Sequence, residues 1–593
     1  MKFLSQFSNQ ALCAHFTRRC PENFLYEKRL KEEFELIEYF GFEKVFLQVC
    51  EILRLAQGIP HIIRGSAGSS LVCYLLGITN VDPIRENISL ARFMNKNRSD
   101  IPDIDIDFPY NYRDEIIERL KDLYGDRVAR ISNHVTFKNT SALREAMRRH
   151  GYRRFLPKYF DVHKLMPFKA EQVLKTAREL QGQFRGYSLH CGGVIIFDTP
   201  VKKELLLKPA QVKINKHQVE EQGLIKIDLL CNRGLAQLWD ISQLPLEDYP
   251  EYDAATADLF CRGDVLGVTF SESPAMKRLV KAIQPRSRRD IALCLALVRP
   301  AAASRGRKLS FLKQWQKCRR KSQIVYDDDA NTLISHLLNI SDDDADFYRR
   351  AFAKGDEIIM AKFKRLIEYM PQAEHHMQSL SMMREYSFCK SHAISYSYLV
   401  WALAYWKVRD PKSFWHAALR HCHSMYAQWV HITEAKRAGL SFATAGSNWV
   451  RKGDVLYDPK HTPFLFHDGY GEYRKHGYWL SDRFMPGCTE IRLNNKIRVR
   501  GLIATYRYYY SLGKSLTFAT LGCDKGRYWD IVIEGKVILH KADLMDIEGE
   551  VKTFFSSNYI KVTKLNGLKE LDRDWKIPQD NDQEQRQIMG SLR

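Results

Sequence analysis

Apolar residues recur at three- and four-residue steps through residues 26–57, YEKRLKEEFELIEYFGFEKVFLQVCEILRLAQ. That spacing predicts helices with one buried stripe, interrupted near Gly41. The turn RGSAGSS then leads into the apolar LVCYLLGI. This predicts a helix opening on a glycine-rich turn, with N-terminal N–H groups available to a phosphate. In IPDIDIDF, residues 101–108, polar and apolar positions alternate strictly. Such a strand sets Asp103, Asp105 and Asp107 on one face and Ile104, Ile106 and Phe108 on the other. YRDEIIERLKDLYG returns to helical spacing, and a basic, mainly helical stretch follows from Asn133 to Arg185. GLIKIDLL, residues 223–230, resumes the alternation, with Asp228 amid isoleucine and leucine and Lys226 on its face.

Residues 245–440 read as mainly helical. After Leu440 the composition shifts to Trp, Tyr, His and Gly without a helical period. KIRVRGLIATYRYYYSLGKSLTFATLGCDKGRYWDIVIEGKVIL reads as short strands with turn signals and aromatic and basic faces. These features predict a small barrel of the oligonucleotide-binding kind. The tail beyond Arg573 is polar, and the chain carries no internal repeat.

Charge changes the picture. A formal net charge of +21 over 593 residues suits a partner with a phosphate backbone, and the length allows several domains. The 13 cysteines form no CxxC pair, so reduced thiols are expected rather than a disulfide scaffold or zinc ribbon. His421-Cys422-His423 is the one local cluster of soft ligands. With no second pair at finger spacing, it is not read as a metal site. No apolar run reaches the length of a membrane span.

Three carboxylates on one strand face repel each other unless solvent or a cation intervenes. A solvated edge strand tolerates them. A hard divalent cation neutralises them, with carboxylates and substrate phosphate oxygens as ligands. Asp228 is the candidate third acid from a second strand, and Gly65, Ser66 and their neighbours are the candidate phosphate turn. Together with the basic excess, these features describe a nucleotidyl transferase.

The ordered motifs RGSAGSSLVCYLLGITNVDP, IPDIDIDF, NHVTFKNTSALREAMRRHG, LHCGGVIIF, GLIKIDLL, GVTFSES, ALVRP, DFYRRAFAK and SFCKSHAISYSYLVWALAYWK carry a family likeness. The chain resembles the C-family polymerases, the bacterial DNA polymerase III alpha subunit and especially its error-prone branch. The resemblance implies a multidomain α/β and α fold: a polymerase beta-like nucleotidyl transferase palm, a helical thumb and fingers, and a C-terminal OB-like β-barrel. Along the chain this gives an N-terminal segment (1–25), palm in two parts (26–132 and 186–244) around a thumb (133–185), and fingers (245–440). An unassigned connector (441–490), an OB-like domain (491–572) and a polar tail (573–593) follow.

Carried over residue by residue, Asp103, Asp105 and Asp228 match the catalytic, metal-binding acids, holding two Mg²⁺ ions. Arg64, Gly65, Ser66, Lys226, Arg349, Arg350 and Lys354 match nucleotide-binding positions. Asp107 falls outside the family's catalytic three and reads as a supporting residue. Lys390 and His392 lie in a similar fingers motif, where packing between helices and nucleotide contact both remain open. The implied partners are primer-template DNA, deoxynucleoside triphosphates and replication or repair accessory proteins, with no membrane, in the cytoplasm.

The sequence departs from the family pattern in places. The polymerase-and-histidinol-phosphatase domain that usually opens the family does not precede the match, and no exonuclease or helix-hairpin-helix module is visible. The expectation is therefore no phosphoesterase or proofreading activity and a shortened thumb. VRPAAASRG and IDLLCNRG replace more regular glycine-containing motifs. Three readings follow: an active polymerase of low fidelity, serving repair or lesion bypass; a polymerase-derived DNA-binding or scaffold protein without turnover; and a terminal or RNA-priming transferase.

Overall fold

The computed structural model describes residues 9–460, 478 and 489–569, apart from 98–100, 157–159, 299–306, 320–323, 385–387, 445, 447, 494–495, 512–513, 524–526 and 555–556. Most of VRPAAASRG, the segment HTPFLFHDGYGEYRKHGYW apart from Tyr478, and the polar tail lie outside the described residues. The chain divides into a larger unit, residues 1–113 with 231–593, and a smaller one, residues 114–230.

The opening helical pattern becomes α1 (Phe24–Phe40) and α2 (Glu43–Leu55), separated at Gly41, which takes a φ of 69°. That left-handed conformation suits glycine and ends the first helix. β1 (Ile62–Arg64), α3 (Leu71–Leu75) and β2 (Ile104–Pro109) follow in the larger unit. β1 and β2 are antiparallel, with Ile62 opposite Asp107 and Arg64 opposite Asp105.

The end of α3 differs from the sequence expectation. The N–H groups of Leu71 and Val72 donate to the carboxylate of Glu33, at 2.7 and 2.9 Å, and the Cys73 N–H donates to Ser70 Oγ. Glu33 is fully buried and also holds Ser70 Oγ and Arg29 Nε. The helix start therefore meets the chain's own carboxylate, the anion that its dipole favours, and offers no phosphate site there.

The smaller unit contains β3 (Val128–Thr136), β4 (Phe184–Ile196), β5 (Leu206–Lys208), β6 (Gln211–Val212) and the first part of β7 (Lys226–Asn232). Its strands run in the order β7-β4-β3-β6-β5. The stretch expected to be helical from Asn133 thus begins as strand. Helices Asn139–Arg149 and Ala170–Leu180 occupy its interior and pack Ala146, Met147 and Val173 into a small core.

Helices dominate residues 245–440 of the larger unit, as expected. They include α4 (Asp327–Leu338), α5 (Asp342–Lys354), α6 (Lys390–Arg409), α7 (Pro411–His421) and α8 (Gln428–Arg437). α6 is apolar around most of its circumference because neighbours surround it. Its Leu399, Trp401 and Leu403 are fully buried in one core with Phe260, Met276, Ile291 and Phe414.

Beyond Leu440, three short strands, β8 (Ser441–Phe442), β9 (Val450–Lys452) and β10 (Val455–Tyr457), make a small sheet. Among the described residues, β11 (Thr489–Leu493) pairs only with β12 (Lys496–Ser511), and β12 with β13 (Lys514–Cys523), β14 (Arg527–Glu534), β15 (Leu544–Phe554) and β16 (Ser557–Lys569) forms a closed five-stranded barrel, as expected. It closes because β12 pairs with both β13 and β15, and alternate residues Val499, Leu521, Ile531, Ile547 and Ile560 fill it.

Candidate active site

The three aspartates of β2 and its entry share a face but not an environment. Asp103 is exposed, Asp105 half-buried and Asp107 fully buried. Asp107 accepts Arg64 Nε on Oδ1 at 2.7 Å and Asn232 Nδ2 on Oδ2 at 2.7 Å, and the Tyr396 hydroxyl also donates to Oδ2. These donors come from β1, β7 and α6. A carboxylate can be buried only when its lone pairs are met in this way. Arg64 lies 5.9 Å from the Tyr396 ring centre. Burial alone lowers the arginine's pKa, but the Asp107 charge and hydrogen bond outweigh it and hold Arg64 above its ordinary value. Burial, then the Asp107 charge, pushes the Tyr396 hydroxyl far up, so it stays protonated and donating.

The RGSAGSS turn is clasped by the start of α6. The Gly65 N–H donates to His392 Nδ1 at 3.2 Å, and the Gly65 carbonyl accepts from Ser391 Oγ at 2.9 Å and Cys389 Sγ at 3.1 Å. Gly65 has a φ of 70°, and a side chain at Gly68 would come within 3.0 Å of Ser391 Cβ. The two glycines thus serve a reversed turn and a close approach of chains. His392 stacks on Tyr396 at 4.6 Å, and Lys390 Nζ donates to the carbonyls of Glu86 and Asn87. Both residues whose role the sequence left open make contacts within the protein: His392 joins α6 to the turn, and Lys390 joins it to the segment at Glu86 and Asn87.

In the smaller unit, Asp228 is buried on β7 opposite Gly193 of β4. A side chain at Gly193 would collide with Ile131 and His190, so glycine is needed there. Lys226 Nζ donates to Asp228 Oδ2 at 2.6 Å. Among the described residues, Asp228 Oδ1 is buried without a hydrogen-bond donor. His190 Nδ1, at 3.6 Å, is the acceptor for the Gly193 N–H. Burial holds His190 below its ordinary pKa, which keeps the ring neutral and suited to that acceptor role.

The three cations expected on α5 separate. Arg349 is buried, donates to Asp346 Oδ1 at 2.6 and 2.7 Å through Nη2 and Nε, and lies 3.6 Å from Asp327 of α4. Arg92 also pairs with Asp327. Arg349 is thus committed to carboxylates of its own fold, whereas Arg350 is half-buried and Lys354 exposed.

The family model for the bacterial DNA polymerase III alpha NTPase domain matches residues 2–231, and that for the alpha subunit finger domain matches residues 234–374. This chain belongs to the bacterial DNA polymerase III alpha family. The error-prone DNA polymerase of Anaeromyxobacter sp. (strain K) is 28% identical over 490 residues, 70% of this chain and 43% of the relative. The DNA polymerase III subunit alpha of Halalkalibacterium halodurans is 30% identical over 472 residues, 67% of this chain and 41% of the relative. That of Streptococcus pyogenes serotype M3 (strain SSI-1) is 28% identical over 495 residues, 73% of this chain and 47% of the relative. The chain spans less than half the length of these relatives. The alpha-type match contains Arg64, Gly65, Ser66, Asp103, Asp105, Lys226 and Asp228, and the finger-type match contains Arg349, Arg350 and Lys354. Among the described residues, no helix is long and apolar enough to cross a membrane.

Sequence reasoning missed Tyr396, Asn232 and His190. Asn232 lies four residues beyond Asp228 on one strand, so period-two alternation puts both on one face. That was the available signal. Tyr396 and His190 sit inside quoted motifs, but only tertiary structure supplies their partners.

Proposed function

We propose that the chain is a template-directed DNA polymerase that adds deoxynucleotides to a primer 3′-hydroxyl, with Asp103, Asp105 and Asp228 as the metal-holding acids. The observation that carries the reading is the division of labour in the family's acidic strand: Asp107 is sealed into the framework by three side-chain donors, while Asp103 is exposed and Asp105 half-buried. Asp228 is the third acid of the proposed set because it is a buried acid on an otherwise apolar strand, with Lys226 beside it. The donor set is all carboxylate oxygen, and Asp228 Oδ1 is buried without a donor, which suits a hard cation such as Mg²⁺. Two bound ions supply Lewis acidity at the attacking and leaving oxygens of an in-line phosphoryl transfer.

The protein's own residues position the reactants. Lys226 fixes the Asp228 carboxylate through one oxygen. Arg64 and the Ser66 hydroxyl face the triphosphate, while the Gly65 N–H is held by His392 and shapes the turn instead. Arg350 and Lys354 bring positive charge to the triphosphate, and Arg349 holds α5 in place by its ion pairs. The closed C-terminal barrel, with Tyr509 and Tyr510 exposed, receives single-stranded template as an OB-like domain. Cytoplasmic action at primer-template DNA, low fidelity without proofreading, repair or lesion bypass, and accessory partners complete the proposal. A relative named error-prone DNA polymerase supports the low-fidelity part.

The test is extension of a labelled primer on a templated duplex with Mg²⁺ and four deoxynucleotides. The wild type should extend as the template directs, and Asp103→Asn/Asp105→Asn should lose about a thousandfold or more in rate while still binding duplex. Binding without extension by the wild type would overturn the reading in favour of a DNA-binding scaffold. Extension without a template would make the chain a terminal transferase.

A further inference from the structure

Glu272, Cys422 and His431 are far apart in sequence, yet their ligand atoms lie within 4.8 Å of one another. Glu272 precedes the helix Pro274–Ile283, Cys422 caps the end of α7, and His431 sits one turn into α8. All three belong to the larger unit, and Glu272 and His431 are buried. We propose that these three side chains form a zinc-type site with a thiolate, an imidazole and a carboxylate ligand.

The geometry comes first. With Zn–S near 2.3 Å and Zn–N and Zn–O near 2.0 Å, a tetrahedral site has ligand-to-ligand edges of about 3.3 to 3.5 Å. His431 Nε2 lies 3.0 Å from Glu272 Oε2, and Cys422 Sγ lies 3.6 Å from Glu272 Oε1. The two distances run to different oxygens of Glu272, so the imidazole and the thiol flank one carboxylate at near-ligand spacing, and a small rotation of that carboxylate brings one oxygen into a common site with both. The Gly267 N–H donates to Glu272 Oε2 at 3.0 Å and orients the carboxylate, the part an outer partner plays around a metal. Water can complete the coordination.

The charge is also consistent. A carboxylate, a neutral imidazole and a thiolate together neutralise a divalent ion, so the loaded site places no net charge in the interior. Two nearby lysines are held elsewhere. Lys407 Nζ is closed on Asp264 Oδ1 at 2.6 Å and on two backbone carbonyls, and Lys541 donates to the Tyr426 carbonyl. Of the two histidines that flank Cys422 in the chain, His421 takes no part, since it is held by Asp240 and Tyr110.

The test uses the full chain after chelator treatment, titrated with Co²⁺ as the probe. The expected result is a near-ultraviolet thiolate-to-cobalt charge-transfer band that saturates at one equivalent, is lost on adding Zn²⁺, and comes with a raised melting temperature. Cys422→Ser should lack the band and the melting shift while melting like the metal-stripped wild type. His431→Gln should weaken binding by about tenfold or more. Asp103→Asn/Asp105→Asn should keep the band, which separates this site from the proposed catalytic acids. No band in the wild type, or an undiminished band in Cys422→Ser, would overturn the proposal and leave Glu272 and His431 as an ion pair.

Discussion

The two ends of one acidic strand make opposite uses of the same residue. Asp103 and Asp105 lie at the exposed and half-buried end, while Asp107, two residues on and on the same face, is fully buried and accepts hydrogen bonds from three side chains. The difference is in the neighbours. Ile62 stands opposite Asp107 in β1 and Arg64 opposite Asp105, so the arginine reaches back along the diagonal to seal the inner carboxylate. The inner acid fixes the strand that presents the outer two. A motif of alternating aspartates thus contains both a proposed reactive part and its support.

Substitutions at the two ends should separate activity from stability. The largest effect is on rate: Asp105→Asn should slow extension by about a thousandfold with an unfolding free energy within about 0.5 kcal/mol of wild type. Asp107→Ala should reverse that ratio, costing about 3 kcal/mol in denaturant unfolding because Arg64 and Tyr396 lose a buried acceptor. Equal stability losses at both positions would break the comparison. Next in size, Tyr396→Phe should cost about 1–2 kcal/mol, and a double-mutant cycle with Asp107→Asn should show coupling of about 1 kcal/mol. Additive effects there would mean that the hydroxyl contact contributes little.

Much of this was legible because alternation and helical period report local structure. β2, β7, α1, α2 and the barrel follow from period, and the outer acids from charge on an otherwise apolar strand. What periodicity cannot report is which distant group meets a polar side chain. The start of α3 read as a phosphate site because nothing local shows that Glu33, 38 residues earlier than Leu71, fills it. Arg349 looked like its neighbour Arg350 for the same reason: both are cations on one helix, and only the packing of α5 against α4 buries Arg349 beside Asp327 and Asp346. Cys422 likewise gained two possible co-ligands from elements 150 and nine residues away, which no local spacing could reveal.

The smallest expected effect tests whether clamping by itself stabilises a carboxylate in this fold. Asp253 caps the helix Ala254–Arg262 by accepting from Thr256 N and Oγ1, and Arg409 Nη2 donates to it at 2.6 Å. Burial opposes its ionisation, but Arg409 and the two Thr256 donors outweigh burial and lower its pKa to about 2. Because the folded-state value is depressed, the stabilisation is fully present above the unfolded carboxylate range near pH 4 and is lost as pH falls toward 2. Asn keeps the cap but removes the charge, so Asp253→Asn isolates the electrostatic part. Allowing for partial exposure, that part is about 1 kcal/mol at neutral pH. Urea unfolding of both proteins between about pH 6 and 3 should show a constant gap above about pH 5 that narrows below it. No gap between the two proteins at any pH would mean that the capping bonds, which Asn keeps, carry the stabilisation rather than the charge, and would weaken the same electrostatic argument for Asp107.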